Sequence, residues 1–149
     1  MPMLQQSHAL TAHLVGSLYT EAMLLADEAR SHFDRDTGLV LEPELSVAYS
    51  CESLKVTTRL MHSIAWLLNQ KAILNGEFSD EQAENVSELG YAASSDNLLV
   101  GRFPAEAREL IEASEDLYFR LQRISNSMRR IPADIPAPRA MVEQLRQAF

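Results

Sequence analysis

The chain has 149 residues, 46% of them hydrophobic and 23% charged, and a net charge of −8. That length forms one domain whose core needs neither a disulfide nor a metal to hold it. A single cysteine, Cys51, excludes an intramolecular disulfide, and the acidic balance lacks the basic footprint of a nucleic-acid binder.

The first helix is predicted over residues 7–33, with Ser7 as N-cap and Leu10, Leu14, Leu18, Leu25, Ala29 and Phe33 as its apolar stripe. Asp34, Arg35, Asp36, Thr37 and Gly38 then supply a turn, and Leu39, Val40 and Leu41 an apolar connection that packs down. Asp34, Asp36 and Gly38 do not make a calcium loop, because Gly38 falls at the fifth place and Leu45 at the twelfth, where a bidentate Glu is required. The N-terminal stretch lacks a basic region followed by a continuous apolar one, and no run approaches the roughly 18 apolar residues of a membrane span. Both observations predict a cytosolic protein.

Pro43 opens a nearly uninterrupted helical run over residues 44–75, and Asn75 with Gly76 closes it by a left-handed turn. At about 100° per residue, Leu45, Tyr49, Val56, Leu60, Ile64, Leu67, Leu68 and Leu74 fall on one broad arc. Leu54, Met61, Ala65 and Ala72 extend that arc sideways, while Trp66 and Ile73 sit on the far side among Glu52, Arg59 and Gln70. A helix with two apolar faces needs two sets of neighbours. Either the chain's own helices cover both faces, or a homodimer uses the excess and Trp66 and Ile73 are partner-binding residues. Cys51 has neither a neighbouring His nor a helix N-terminus to activate it, and reads as a buried or half-buried inert thiol. Thr57 and Thr58 read as residues that bond back to helix carbonyls or bridge two helices.

Ser79, Asp80, Glu81 and Gln82 form a capping box that opens a short acidic helix to about residue 89, with Asp80, Glu81, Glu84 and Glu88 as a solvated face. Gly90 and residues 92–97 read as a connection without regular structure, anchored by Leu98, Leu99, Val100 and Phe103. Pro104 starts the last long helix at its first turn. Leu110, Ser114, Leu117, Leu121, Ile124, Met128 and Ile131 recur there at alternating intervals of 4 and 3, a seam suited to antiparallel packing. Arg120, Arg123, Arg129 and Arg130 crowd its C-terminal half, where they complement the helix dipole.

Pro132, Pro136 and Pro138 end the helix and open an extended linker. Residues 139–149 regain helical spacing, with Met141, Val142, Leu145 and Phe149 on one side. An end this short is not a stable helix alone. Either it folds back onto the bundle, or it is a tethered ligand for a partner's groove, which makes those four residues partner-binding candidates.

The elements add up to an all-α, antiparallel three-helix bundle over residues 1–131 with a short extra helix, followed by a Pro-rich tail over 132–149. Charge is unevenly placed: −5 over residues 1–44, +2 over 45–75, −9 over 76–117 and +4 over 118–149. The acidic middle and the basic end can attract each other within the fold or across to a partner. His8, His13, His32 and His62 lack metal-ligand spacing, and the five glycines make neither a phosphate loop nor a nucleophile elbow. No catalytic, metal-binding or cofactor-binding residue is assigned. A pocket-based enzyme or sensor would need Tyr49, Arg59 and His62 to converge, and their angular spread on the helix opposes that.

The string ESLKVTTRLMHSIAWLLNQKAILNGE, residues 52–77, resembles the corresponding helix of the alphaproteobacterial regulators of CtrA degradation, the RcdA-type proteins. The stretch ELIEASEDLYFRLQRI, residues 109–124, is similar to the last helix of that family, including Ser114, Leu117, Tyr118, Arg120 and Leu121. The resemblance implies a three-helix bundle, usually a homodimer, that serves as an adaptor of the ClpXP protease. It implies a place beside a response-regulator-like partner of the primed protease, delivery of cargo such as CtrA, no cofactor, and a cytoplasmic location with recruitment to a cell pole. A C-terminal tail is part of that working anatomy, which the linker and the segment from Met141 to Phe149 match in kind.

Overall fold

The computed structural model describes residues 2–35 and 41–130. Among them the chain forms five helices, α1 (Pro2–Asp34), α2 (Pro43–Leu74), α3 (Asp80–Asn85), α4 (Asn97–Val100) and α5 (Ala105–Arg130), and no strand. The all-α bundle read from the sequence is therefore the fold. Asp36, Thr37, Gly38, Leu39, Val40, Ile131, the proline linker and the tail residues Met141, Val142, Leu145 and Phe149 lie outside the described residues.

Helix α1 begins five residues before its predicted start, so Ser7 stands inside the helix and is not its N-cap. Proline is tolerated at a first helical position because the N–H it lacks would have no partner there, and residues 3–6 contain no helix breaker. The buried line of α1 is Val15, Leu18, Ala22 and Ala29, with Tyr19, Leu25, Ala26 and Phe33 at its margins. Leu14 is exposed, contrary to the predicted stripe. Ala22, fully buried, sets the centre of the stripe, and Leu14 stands about 80° away from it around the helix.

Helix α2 ends as its sequence requires. Gly76 adopts φ 72°, its N–H donates to the Ile73 carbonyl at 3.0 Å, and the Glu77 N–H donates to the Ala72 carbonyl at 3.0 Å. Those two bonds are the paired closure of a Schellman motif, and they need a residue without Cβ strain at the left-handed position.

Three contacts at different heights give the helix directions. Phe33 of α1 stacks edge-on against Tyr49 near the start of α2, and Lys71 near the end of α2 lies 4.4 Å over the ring of Tyr19. His32 meets Glu106 at the start of α5, Glu21 meets Arg120 further along, and Arg59 of α2 bonds to Ser114 of α5. Helix α1 is thus antiparallel to both other long helices, whereas α2 and α5 run the same way. The antiparallel packing predicted for the α5 seam holds against α1 alone. Helices that run in parallel need a long crossover connection, and residues 76–104 provide it, travelling back along α2.

The crossover begins with the capping box in full, the Ser79 N–H donating to Gln82 Oε1 at 2.9 Å and the Gln82 N–H to Ser79 Oγ at 3.2 Å. Helix α3 stops at Asn85, short of the predicted 89, where the Ser87 hydroxyl takes the Glu84 carbonyl at 2.8 Å. Asp80, Glu81, Glu84 and Glu88 are exposed, as a solvated face should be. Residues 86–96 follow without regular structure, and Asp96 then caps the single turn of α4, accepting the N–H groups of Leu98 and Leu99. Val100 and Phe103 anchor this stretch in the core and Leu99 is half-buried, but Leu98 is 86% exposed and anchors nothing. The helical turn of α4 separates Leu98 from Val100 by about 200°, so both cannot face the core.

Pro104 sits one position before the first turn of α5, its carbonyl accepting the Arg108 N–H at 3.1 Å. The seam residues Ser114, Leu117 and Leu121 are fully buried, Leu110 and Ile124 half-buried, and Met128 exposed. A second buried row, Ala107, Ile111, Tyr118 and Ser125, accompanies them. It gives α5 the width to pack on α1, on α2 and on the crossover at once.

Candidate functional site

Helix α2 carries three faces, and the fold treats each differently. Val56, Leu60 and Leu67 enter the core shared with α1 and α5. On the next face, side chains of α2 and α5 grip the crossover, here called the strap, through its backbone. Trp66 Nε1 donates to the Ser87 carbonyl at 3.0 Å. The Tyr118 hydroxyl donates to the Gly90 carbonyl at 2.7 Å and accepts the Ala92 N–H at 3.1 Å. The Asp96 N–H donates to Glu52 Oε1 at 3.0 Å, which also accepts Lys55 Nζ at 3.0 Å.

Arg59 is the centre of this clamp. Its guanidinium is buried and donates to Ser114 Oγ at 3.2 Å, to the Ala93 carbonyl at 3.0 Å and to Ser95 Oγ at 2.6 Å. Burial pulls the Arg59 pKa down, and the charges of Glu115 and Glu52 work against that shift. Burial pushes the Glu52 carboxyl up, but hydrogen bonds from Ser95, the Asp96 N–H and Lys55, with the Lys55 charge, together hold it below the usual carboxylate range. The strap is therefore fixed by a polar network spanning two helices, in which Glu52 Oε2 alone of the carboxylate oxygens has no hydrogen-bond partner. His62 packs on the same segment so closely that a Cβ on Gly90 would lie 2.7 Å from its Nδ1.

This clamp corrects the sequence reading of Trp66. It is 3% exposed, covered by the chain's own strap, and its N–H is already used, so in the single chain it offers no surface to a partner. Ile73 is half-buried on the same side. Met141, Val142, Leu145 and Phe149, the other partner-binding candidates, fall outside the described residues.

The third face of α2 is open. Val47, Leu54, Met61 and Leu68 are exposed, where the sequence placed Leu54, Met61 and Leu68 on the buried arc. Cys51 is exposed as well, not the buried or half-buried thiol the sequence suggested. Thr57 and Thr58 bond back to the Ser53 and Leu54 carbonyls, each at 3.0 Å.

Two shallow grooves flank α1. One, of about 540 Å³, lies against the N-terminal half of α5, where Asp27, Glu28, Glu106 and Glu109 outnumber His32 and Arg35. At its edge His32 Nδ1 lies 3.5 Å from Glu106 Oε2, and His32 Nε2 lies 3.1 Å from the Tyr49 hydroxyl. Burial raises the Tyr49 pKa, which keeps that phenol neutral. The second groove, of about 510 Å³, is apolar, lined by Leu14, Leu18, Ile124 and Met128 and rimmed by Arg120 and Arg123. Arg120 is held by Glu21 of α1 and by Asp116 at 3.0 Å, and the hydrogen bond to Glu21 raises its pKa. Arg120 of the basic end thus finds its acidic partners on α1 and on α5 itself.

Tyr49, Arg59 and His62 engage His32, the strap network and Gly90 respectively and do not converge on one cavity. Among the described residues no group of three or more His, Cys, Asp or Glu is placed to hold a metal ion, and no helix is long and apolar enough to cross a membrane.

A family model described as a protein of unknown function, DUF1465, matches residues 6–149. No curated protein and no solved structure matches the chain. The match covers nearly the whole sequence, and the chain belongs to the DUF1465 family.

Proposed function

We propose that this DUF1465 member is a non-enzymatic adaptor of the RcdA type, which helps deliver cell-cycle regulatory proteins to a ClpXP protease. It acts in the cytoplasm as a homodimer, beside a response-regulator-like partner of the protease and with cargo such as CtrA. The observation that carries this reading is the resemblance of residues 52–77 to the RcdA-type helix. The fold gives that string a physical meaning: Glu52, Arg59 and Trp66 are the residues that grip the strap. A shared string of this kind preserves the architecture that presents surfaces, which is what an adaptor needs. Its effect on cargo is to raise effective concentration near the protease, a gain that requires two surfaces and no chemistry.

The tail fits the same reading. The family match extends through residues 132–149, so the proline linker and its amphipathic end belong to the family pattern. In this reading Met141, Val142, Leu145 and Phe149 are the residues that a partner's groove would take.

The test is a reconstituted ClpXP degradation assay with the primed protease and a cell-cycle cargo, comparing the full chain with one ending at Ile131. The full chain should accelerate cargo loss and the shortened one should do so less. If neither changes the rate, and a pull-down recovers a different stable partner without protease components, the protein is instead a dimeric helical interaction or signalling module.

A further inference from the structure

The groove between the C-terminal half of α1 and the N-terminal half of α5 lies between two contacts that join those helices, His32 with Glu106 at one end and Glu21 with Arg120 at the other. Its apolar lining is Leu25, Leu110 and Ala113, the two leucines half-buried and the alanine exposed. Of its four carboxylates only that of Glu106 meets a cation; Asp27, Glu28 and Glu109 make no ion pair among the described residues. Carboxylates gathered along an apolar furrow repel one another, and a cationic side chain laid beside them relieves that repulsion while the furrow takes an apolar neighbour.

The chain carries a segment of matching character. At about 100° per residue, Met141, Val142, Leu145 and Phe149 fall within an arc of about 100°. Arg139 and Arg146 stand together on one edge of that arc, and Glu143 stands on the far side. We infer that in the free protein residues 139–149 dock as a helix in this groove of their own chain, apolar side down, with the two arginines against its carboxylates.

Length agrees with the assignment. Helix α5 ends at Arg130, and the near end of the groove, at Ala113, lies about 26 Å back along it. The chain from Arg130 to Arg139 spans about 30 Å at full extension. It brings Arg139 to that end with little to spare, and Pro132, Pro136 and Pro138 oppose its coiling up. Met141 to Phe149 then covers about 12 Å as a helix, against about 10 Å from Ala113 to Glu106.

Charge and tethering select this occupant. The apolar groove nearer the end of α5 is rimmed by Arg120 and Arg123, the wrong sign for Arg139 and Arg146. A basic segment of another protein meets the same chemistry in the acidic groove, but the tail is held beside it at an effective concentration of order millimolar. A partner that takes Met141, Val142, Leu145 and Phe149 must therefore first draw them out of the groove. The docked tail does not depend on ClpXP: a degradation assay without effect leaves it standing, and an undocked tail leaves the adaptor role to that assay.

The experiment is a spin-label distance measurement on the full chain with Cys51→Ser and labels at Glu112→Cys and Gln147→Cys. Glu112 is exposed on α5 outside the groove lining, and Gln147 falls opposite the apolar arc of the tail, so neither label blocks the contact. A docked tail gives one narrow distribution near about 20 Å, whereas a free one gives a broad distribution centred near about 35 Å. Asp27→Lys/Glu109→Lys, at two exposed positions, should abolish the narrow distribution, and adding Arg139→Glu/Arg146→Glu should restore it, which also shows the bundle intact. Excess unlabelled chain should leave the wild-type distribution unchanged. A broad distribution in the wild type, a narrow one that survives the lysine pair, a folded charge-swapped chain that stays broad, or a short distance lost on mixing with unlabelled chain, which would place the tail on another copy, would each overturn the assignment.

Discussion

Replacing Arg59 by Ala should release the strap before it unfolds the bundle. The guanidinium makes three hydrogen bonds, to Ser114 Oγ, the Ala93 carbonyl and Ser95 Oγ, and its loss leaves one buried and two half-buried acceptors without their donor. Charge-assisted bonds contribute about 1.5–3 kcal/mol each, offset by the cost of taking the guanidinium out of water. Removing one member of a buried charged network costs about 3–5 kcal/mol, and that is the expected loss in urea unfolding. Hydrogen exchange should locate the loss. The Ala92 and Asp96 amides, bonded to the Tyr118 hydroxyl and to Glu52, should exchange much faster, while amides in the middle of α1 lose only the global share. Arg59→Met separates volume from bonding, because it keeps most of the side-chain bulk and none of the donors. If Arg59→Met matches the wild type within about 0.5 kcal/mol, and the strap amides keep their protection, the clamp does not hold the strap and the reasoning fails.

Three further outcomes follow from the same geometry. Gly90→Ala should cost about 1–3 kcal/mol, because the new Cβ would lie 2.7 Å from His62 Nδ1; adding His62→Ala should recover much of that, and purely additive losses would count against the clash. Because the folded Glu52 pKa is depressed, its contribution is full above the ordinary carboxylate value of about 4.3 and is lost as pH falls through the lower folded value. Over that acid range the wild-type melting temperature should fall more steeply than that of Glu52→Gln, and parallel pH profiles would refute the assignment. Gly76→Ala should cost about 1 kcal/mol by forcing a Cβ into φ 72° at the end of α2; an unchanged denaturation midpoint would show that the turn relaxes freely.

What could be read from the sequence divides along a physical line. Both ends of α2 and the start of α3 were legible because their chemistry is local: Pro43, Asn75 with Gly76, and the Ser79 capping box act within a turn of themselves, whereas the start of α1 and the end of α3 were misplaced. The α5 seam was legible in its middle, where Ser114, Leu117 and Leu121 are buried. Angles around α2 were legible too, but an angle does not say which neighbour lies opposite it. That neighbour was fixed by α5 running parallel to α2, which sends the strap along one flank of the helix and leaves the other bare.

The two flanks of α2 were legible to different degrees. Trp66, set among Glu52, Arg59 and Gln70, was left between cover by the chain's own helices and a partner, while Leu54, Met61 and Leu68 looked like core. The clue lay in hydrogen-bonding capacity. A flank carrying an indole N–H, a guanidinium and a carboxylate is suited to an irregular segment, whose carbonyls and N–H groups are not spent on a helix, and residues 86–96 are that segment. The bare flank is mostly apolar, and its Thr57 and Thr58 hydroxyls are bonded back to their own helix, so it is poorly suited to hold an irregular chain. The polar flank is thus covered within one chain, and the apolar flank is left open by it.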